Sequence, residues 1–452
     1  MKHPSWLNKE VFGWAMFDFA NQAFTLVILT TMFQLYFVNH VVVDDESMGR
    51  QLWSLTGIIG QTLVIIISPV IGALADFSGA KKRLLLTTYL GCVLLTAALG
   101  LITPGAVAFA MVLFIAGYVF YATGENFLGA FLPELAAHRD MGKVSAFGFT
   151  LGYVGGLLCL GGAAVVVYFF DGPTGFRLVC VWAALFFLAA GLPTFILLRE
   201  RKLAEQLPEG QSLLTVGFHR VASTFRSLKH YRHLFRFLII MTFYLAGTSI
   251  IIWFGGEIAR TLFNMNEREL AIYITILTIS AIVGAFATGR YQDRIGTRNT
   301  ILIALALWIV VMIAAAFIRE EWRFLFWTIG GGVGFGLGML GTASRAMVGL
   351  FSPPHKSAEF FGFYGLSWKT STILGLGAAF FVERIFASPD DPARGMKWVV
   401  ASSAIFFIGG VIGMLTVDER AGRVAALHAA REHVRKHRDL SEPVPSLSNN
   451  DS

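Results

Sequence analysis

Apolar residues in this chain come in long unbroken runs, separated by shorter stretches where glycine, proline and charge gather. Twelve such runs recur from end to end, at about 11–39, 52–75, 83–103, 105–136, 146–170, 177–199, 235–262, 268–289, 299–318, 322–350, 358–386 and 396–417. Each is close to the ~20 residues a helix needs to cross about 30 Å of hydrocarbon, and none alternates as a barrel strand must. The pattern predicts an all-α membrane protein of twelve transmembrane helices. The first run is too long for a cleavable leader and lacks a small-residue cleavage site, so it is expected to stay as a span.

Composition agrees. Hydrophobic residues make up 55% of the 452 and charged residues 14%, with 41 phenylalanines, too few polar groups to cover a soluble domain. Cys92, Cys159 and Cys180 sit singly inside apolar runs without metal-ligand spacing and read as small buried hydrophobes. The net charge of +7 is a matter of topology, because the bases collect after even-numbered runs. Lys81, Lys82 and Arg83 follow the second run, Arg139 and Lys143 the fourth, and Arg290, Arg294 and Arg298 the eighth. The opposite loops include "VVVDDESMGR" and "ASPDDPAR", where acids outnumber bases. Such one-sided positive charge marks cytoplasmic loops, so both termini are expected in the cytoplasm, and no nucleic-acid partner is implied.

One long polar stretch divides the runs six and six. The expected plan is an N-terminal six-helix bundle (1–199), a cytoplasmic linker (200–234), a C-terminal six-helix bundle (235–417), and a basic helix with a polar tail (418–452). The basic helix is expected to rest on the inner leaflet, or else to dock on a partner. "GALADFSGAKKR" (Gly72–Arg83) lies between runs 2 and 3, and "GRYQDRIGTRN" (Gly289–Asn299) between runs 8 and 9, offset by 217 residues. Each has a glycine, an aspartate four residues on, a second glycine, and then bases. Two pseudo-symmetric bundles repeated in parallel suit a transporter whose site lies between halves that rock.

This repeated turn resembles the signature loop of the major facilitator superfamily. A narrower resemblance rests on "WAMFDFANQAFTLVIL", "ENFLGAFLPELA", "FGFTLGYVGGLL" and "GTASRAMVGLFSPPHKSAEFFGFYGLSWK". Together these are similar to the vacuole-effluxer-like branch, which holds the fungal autophagy-related amino-acid effluxer and many bacterial proteins. The resemblance implies a cavity lined by helices 1, 4, 7 and 10, residence in a bacterial inner membrane, and a cytoplasmic gate. That gate would pair Asp76 with Lys81, Lys82 or Arg83, and Asp293 with Arg294 or Arg298. Phe77 stands where an arginine commonly follows the first aspartate, while Arg294 keeps it, so the second copy is expected to close more tightly. The branch often carries an aspartate before Gly247, where this chain has Ala246.

An ionisable group near the bilayer centre costs on the order of 2.5–3.5 kcal/mol, so each one is a functional candidate. Asp18 shares a helix face with Asn21, Gln22 and Thr25. Glu125 shares one with Tyr118 and Tyr121, beside Asn126. Lys369 lies about ten residues, or about 15 Å, into run 11 and could grip a substrate carboxylate, or be locked to Asp18 or Glu125. Tyr244 and Thr248 are cavity candidates on run 7, Arg345 reads as part of the cytoplasmic gate, and Glu134 and Glu359 read as interfacial. Gly148, Gly152 and Gly156 stripe run 5 for close packing, whereas alternate glycines from Gly330 to Gly338 mark run 10 as the one to bend.

The leading expectation is a secondary transporter of a small polar or zwitterionic solute, amino acids being the class the resemblance suggests. Coupling to protons through Asp18 or Glu125 is one route, and uniport is the other. Export of an amphipathic drug-like compound is the second reading, although run 5 lacks the proline of an antiporter motif. A non-transporting sensor on the same fold is the third. No lysine-bearing phosphate loop and no catalytic grouping stand in the chain, so neither ATPase nor enzyme is expected, nor any cofactor or metal. The partners implied are solute, lipid bilayer and protons, with the chain acting as a monomer.

Overall fold

The computed structural model describes residues 6–43, 46–200, 231–263, 265, 267–318, 322–386 and 392–441, with positions 215, 219 and 222 between. Most of the 200–234 linker and the last polar residues lie outside them. The spans are α1 (Lys9–Val41), α2 (Glu46–Ser78), α3 (Lys81–Leu99), α4 (Val107–Leu135), α5 (Met141–Phe169) and α6 (Gly172–Leu197). A second set follows: α7 (Arg232–Phe263), α8 (Glu267–Ile295), α9 (Thr297–Phe317), α10 (Arg323–Phe351), α11 (Ser357–Phe386) and α12 (Pro392–Leu415). A further helix, α13, runs over Glu419–Ser441.

Eleven of these are long and apolar enough to cross a membrane. The twelfth, α11, has the length at 30 residues, but its apolar character is thinned by Glu359, Lys369 and Arg384. The packing repeats with a six-helix shift. α1 packs on α5 and α6 as α7 does on α11 and α12, and α2 packs on α4 as α8 does on α10. Across the halves the seams are α2 with α11 and α8 with α5, again the same pair exchanged.

The first span departs from a plain helix. Asn8 caps it by accepting the Val11 N–H at 2.9 Å, and after Gln22 it widens into a π-helical stretch, Ala23–Leu29. Thr30 N–H reaches the Thr25 carbonyl at 3.1 Å, and the hydroxyls of Thr30 and Thr31 bond carbonyls five residues back, both at 2.6 Å. Hydroxyls competing for helix carbonyls are a known cause of such local unwinding, and π segments concentrate at working sites. α10, the span expected to bend, is continuous from Arg323 to Phe351. It stays α-helical, with Gly334 and Gly338 against backbone of α8 and Gly332 and Gly336 against Val311 and Trp308 of α9.

The paired turns hold the two halves together at the basic end. α2 ends at Gly79 (φ 60°) and α8 at Gly296 (φ 90°), left-handed positions where glycine stops a helix without a Cβ clash. Upstream, a Cβ on Gly72 would lie 2.3 Å from the Ala358 carbonyl oxygen of α11, and one on Gly289 2.5 Å from Ala146 of α5. The aspartates then cap helices of the opposite half. Asp76 accepts the Glu359 N–H at 2.8 Å at the start of α11, and Asp293 accepts those of Gly142 and Lys143 at 2.9 and 3.2 Å at the start of α5. A carboxylate on free N–H groups at a helix start is matched by hydrogen bonds and by the helix dipole.

The expected partners are therefore corrected. Lys81 alone of the first basic cluster joins the lock, 3.1 Å from Asp76, 2.6 Å from Glu134 and 2.6 Å from the Ser357 hydroxyl, and it is fully buried. Glu134 and Glu359 are thus parts of the lock and not interfacial residues. Among the described residues Lys82 bonds through its backbone N–H, donated to Glu200 at 2.7 Å, and Arg83 is exposed. Burial raises the Glu200 pKa above the usual carboxylate range, opposed by that N–H. In the second copy Arg298 turns away and donates to the Met414 and Leu415 carbonyls at 3.0 and 2.9 Å, while Arg294 is exposed and makes no ion pair among the described residues. Asp293 pairs with neither; the nearest cation is Lys143, at 4.0 Å.

The asymmetry thus falls at Lys81 against Arg298, not at Phe77 against Arg294, and the first copy is the more heavily bonded. α13 packs on α10, α7 and the turn at Pro354–Lys356, with Gly422 against the Phe351 ring. Removing the Lys81 ammonium takes away the buried cation that both Asp76 and Glu134 touch. Lys81→Met should lower stability by about 3–5 kcal/mol, read as a drop in the unfolding midpoint of purified protein. Arg83→Met should leave that midpoint in place.

Candidate functional site

Between the halves lies a cavity of about 250 Å³. α1 supplies Asp18 and Gln22, α4 supplies Tyr121, Glu125 and Asn126, and α10 supplies Arg345. Its far wall is α11, with Phe361, Tyr364, Trp368 and Lys369 at helical spacing. A smaller space of about 150 Å³ shares Trp368 and Lys369 with it and has four further aromatic residues in its lining, Trp53, Phe114, Tyr118 and Trp253. The cavity is therefore built from α1, α2, α4, α5, α10 and α11.

α7 contributes nothing to the central cavity, which corrects Tyr244 and Thr248. Tyr244 is fully buried, its hydroxyl 2.7 Å from the Ser344 hydroxyl of α10. Thr248 is buried too and does not line the cavity. The helix rotation that puts Tyr244 against α10 leaves Ser249, Ile252 and Trp253 facing the smaller space. Arg345 is the second correction. It is not at the gate but in the cavity wall, its guanidinium donating to Asp18 at 2.7 Å and to the Ser145 carbonyl at 2.8 Å. The same group stacks over Phe149 at 4.1 Å and Trp14 at 4.7 Å. A planar cation with rings on it and a carboxylate at its edge uses the features in which arginine differs from lysine.

Asp18 is thereby matched across the halves, and the space for the pair comes from Gly148, where a Cβ would sit 2.3 Å from the Asp18 carboxylate. Glu125 is held more lightly, by Asn21 at 3.2 Å, and the neighbouring Tyr121 hydroxyl accepts from Thr25 at 2.9 Å. Asn126 bonds the Ser68 hydroxyl at 3.0 Å, tying α4 to α2. Lys369 lies over the Tyr118 ring at 4.9 Å, with no carboxylate within ion-pair distance among the described residues. It faces Glu125 electrostatically across the cavity but is not locked to Glu125 or Asp18.

The sequence reading thus placed Asp18, Asn21, Gln22, Tyr121, Glu125, Asn126 and Lys369 around one centre; Asn21 is buried just behind the lining, holding Glu125. It missed Trp14, Ser145, Phe149, Tyr364 and Trp368. Tyr364 and Trp368 stand four residues apart on one face of α11, and that stripe could have marked them.

Twelve helices in two exchanged halves around a charged, membrane-embedded cavity define a transporter of the major facilitator class. The vacuole effluxer Atg22-like family matches residues 35–427, and the chain belongs to that family. It is 24% identical to the MFS-type transporter YxiO of Bacillus subtilis over 91% of this chain and 95% of that one. It is also 24% identical to autophagy-related protein 22-2 of Sclerotinia sclerotiorum, over 52% of this chain but 38% of the fungal protein. Among solved structures the human organic anion transporter MFSD10 superposes with a TM-score of 0.70 at 15% identity, covering 91% of this chain and all of that one, a likeness of fold alone.

The Asp18–Arg345 link predicts a specific pattern of coupling. Arg345→Gln should destabilise strongly because Asp18 is left buried with its charge unmatched. Adding Asp18→Asn to it should recover stability, with a coupling of about 1–3 kcal/mol in a double-mutant cycle of unfolding midpoints. Strictly additive losses would show that the two do not act together.

Proposed function

We propose that this chain moves a small zwitterionic solute of the amino-acid class across the membrane by alternating access. The observation that carries this reading is the pair Lys369 and Glu125, opposite charges facing one cavity without an ion pair between them. An ammonium over an aromatic ring is free to take a carboxylate, and Glu125 could take an amine. The volume of about 250 Å³ lies below the roughly 300–1,000 Å³ of pockets for drug-sized ligands, which favours a small solute.

Asp18 already has its cation, so we assign proton coupling to Glu125. The basic end is taken as the cytoplasmic side of a bacterial inner membrane, with both termini there and the chain working as a monomer. Opening that end requires Asp76 and Asp293 to leave the helix starts they cap. The aromatic lining of the smaller space favours a second reading, export of an amphipathic compound.

Uptake of labelled amino acids into proteoliposomes decides between them. Lys369→Ala should lower uptake more than tenfold, and Glu125→Gln should lower exchange of solute as well as remove acceleration by a pH gradient. Uptake that ignores both substitutions, or transport confined to lipophilic cations, would remove the zwitterion reading.

A further inference from the structure

A cavity of about 800 Å³ lies apart from the central one. It opens at the basic end, on the seam where α5 of one half meets α8 of the other. Trp6, Phe147 and Phe286 give it an apolar wall, and Phe286 is 68% exposed on the outer surface of α8. Arg139, Lys143, Arg290 and Arg294 line the polar side.

Two carboxylates share the space, and both are already engaged. Asp140 takes Lys143 at 2.5 Å and Arg139 at 3.4 Å, and Asp293 accepts two backbone N–H groups. Arg290 and Arg294 are exposed and form no ion pair among the described residues. The Thr150 hydroxyl, also in the lining, is buried without a hydrogen-bond partner. Four cations against two satisfied carboxylates leave positive charge directed at the opening.

We propose that this seam is a binding site for an anionic phospholipid of the leaflet at the basic end. The phosphate would lie between Arg290 and Arg294, and an acyl chain along Phe147 and Phe286. A lipid is favoured over free phosphate because the cations adjoin an exposed aromatic wall at the end of two spans, the level where headgroups meet protein and where tryptophan and arginine anchor. The two walls belong to different halves, so the site exists only while the seam is closed. A lipid that binds one arrangement and not the other shifts the balance toward it. Anionic lipid should therefore hold the basic end shut.

Trp6 offers the readout. Full-length protein is placed in vesicles of phosphatidylcholine carrying either brominated phosphatidylglycerol or brominated phosphatidylcholine. The quenching of Trp6 is isolated by difference from Trp6→Phe. Saturable quenching by the glycerol lipid should exceed that by the choline lipid. Arg290→Gln with Arg294→Gln should weaken it about tenfold or more, while Arg290→Lys with Arg294→Lys should restore most of it. Equal quenching by the two lipids, or an unchanged double glutamine variant, would overturn the proposal. So would full displacement of the glycerol lipid by inorganic phosphate, which would mark a site for the free anion.

Discussion

Water solvates a charge cheaply, and a bilayer or a protein interior does not, so every ionised group taken inside must be matched where it sits. That constraint organises this molecule more than any hydrophobic contact does, because lipid tails offer apolar side chains almost as good a home as the bundle. Lys81 is fully buried because Asp76, Glu134 and Ser357 surround it. Arg345 is tolerated in the cavity wall because Asp18, the Ser145 carbonyl and two rings enclose it. Arg345 finds its carboxylate in the other half, whereas Lys81 is matched by carboxylates of its own half and reaches across only to the Ser357 hydroxyl.

The repeated turn gains its meaning from this. What recurs is less a cluster of bases than a way of ending one helix against the beginning of another. A glycine brings the backbones together, an aspartate satisfies exposed N–H groups, and a left-handed glycine turns the chain away. The bases that follow are then free to diverge, and they do. Lys81 turns inward to the lock, while Arg298 turns to the end of α12, where its own N–H also meets Glu419 of α13 at 2.9 Å.

Much of the fold could be read in advance because membrane spans are written in composition and length, which need no knowledge of partners. Even α11, the least apolar, was marked by its run at 358–386. The face of each polar stripe was also legible, since Asp18 and Glu125 bring their helical neighbours with them. Rotation was harder. Helical period says that Tyr244 and Thr248 share a side with one another, but not whether that side meets the cavity or α10. Arg345 was misjudged because its long side chain reaches Asp18, a partner 327 residues away, a proximity no local pattern contains. The π-helical stretch of α1 was hidden for the opposite reason, since it follows from threonine hydroxyls bonding carbonyls that any helix would offer.

The missing side chain at Gly72 also sets how the seam can move. With space for no more than a hydrogen between its α-carbon and the carbonyl of Ala358, α2 and α11 meet there backbone to backbone. Contacts of that kind have no yielding layer of side chains to shear through by degrees. They are engaged or they are apart, and helix N–H groups freed on parting must find water at once. The seam therefore behaves as a latch with two settings and a steep rise between them.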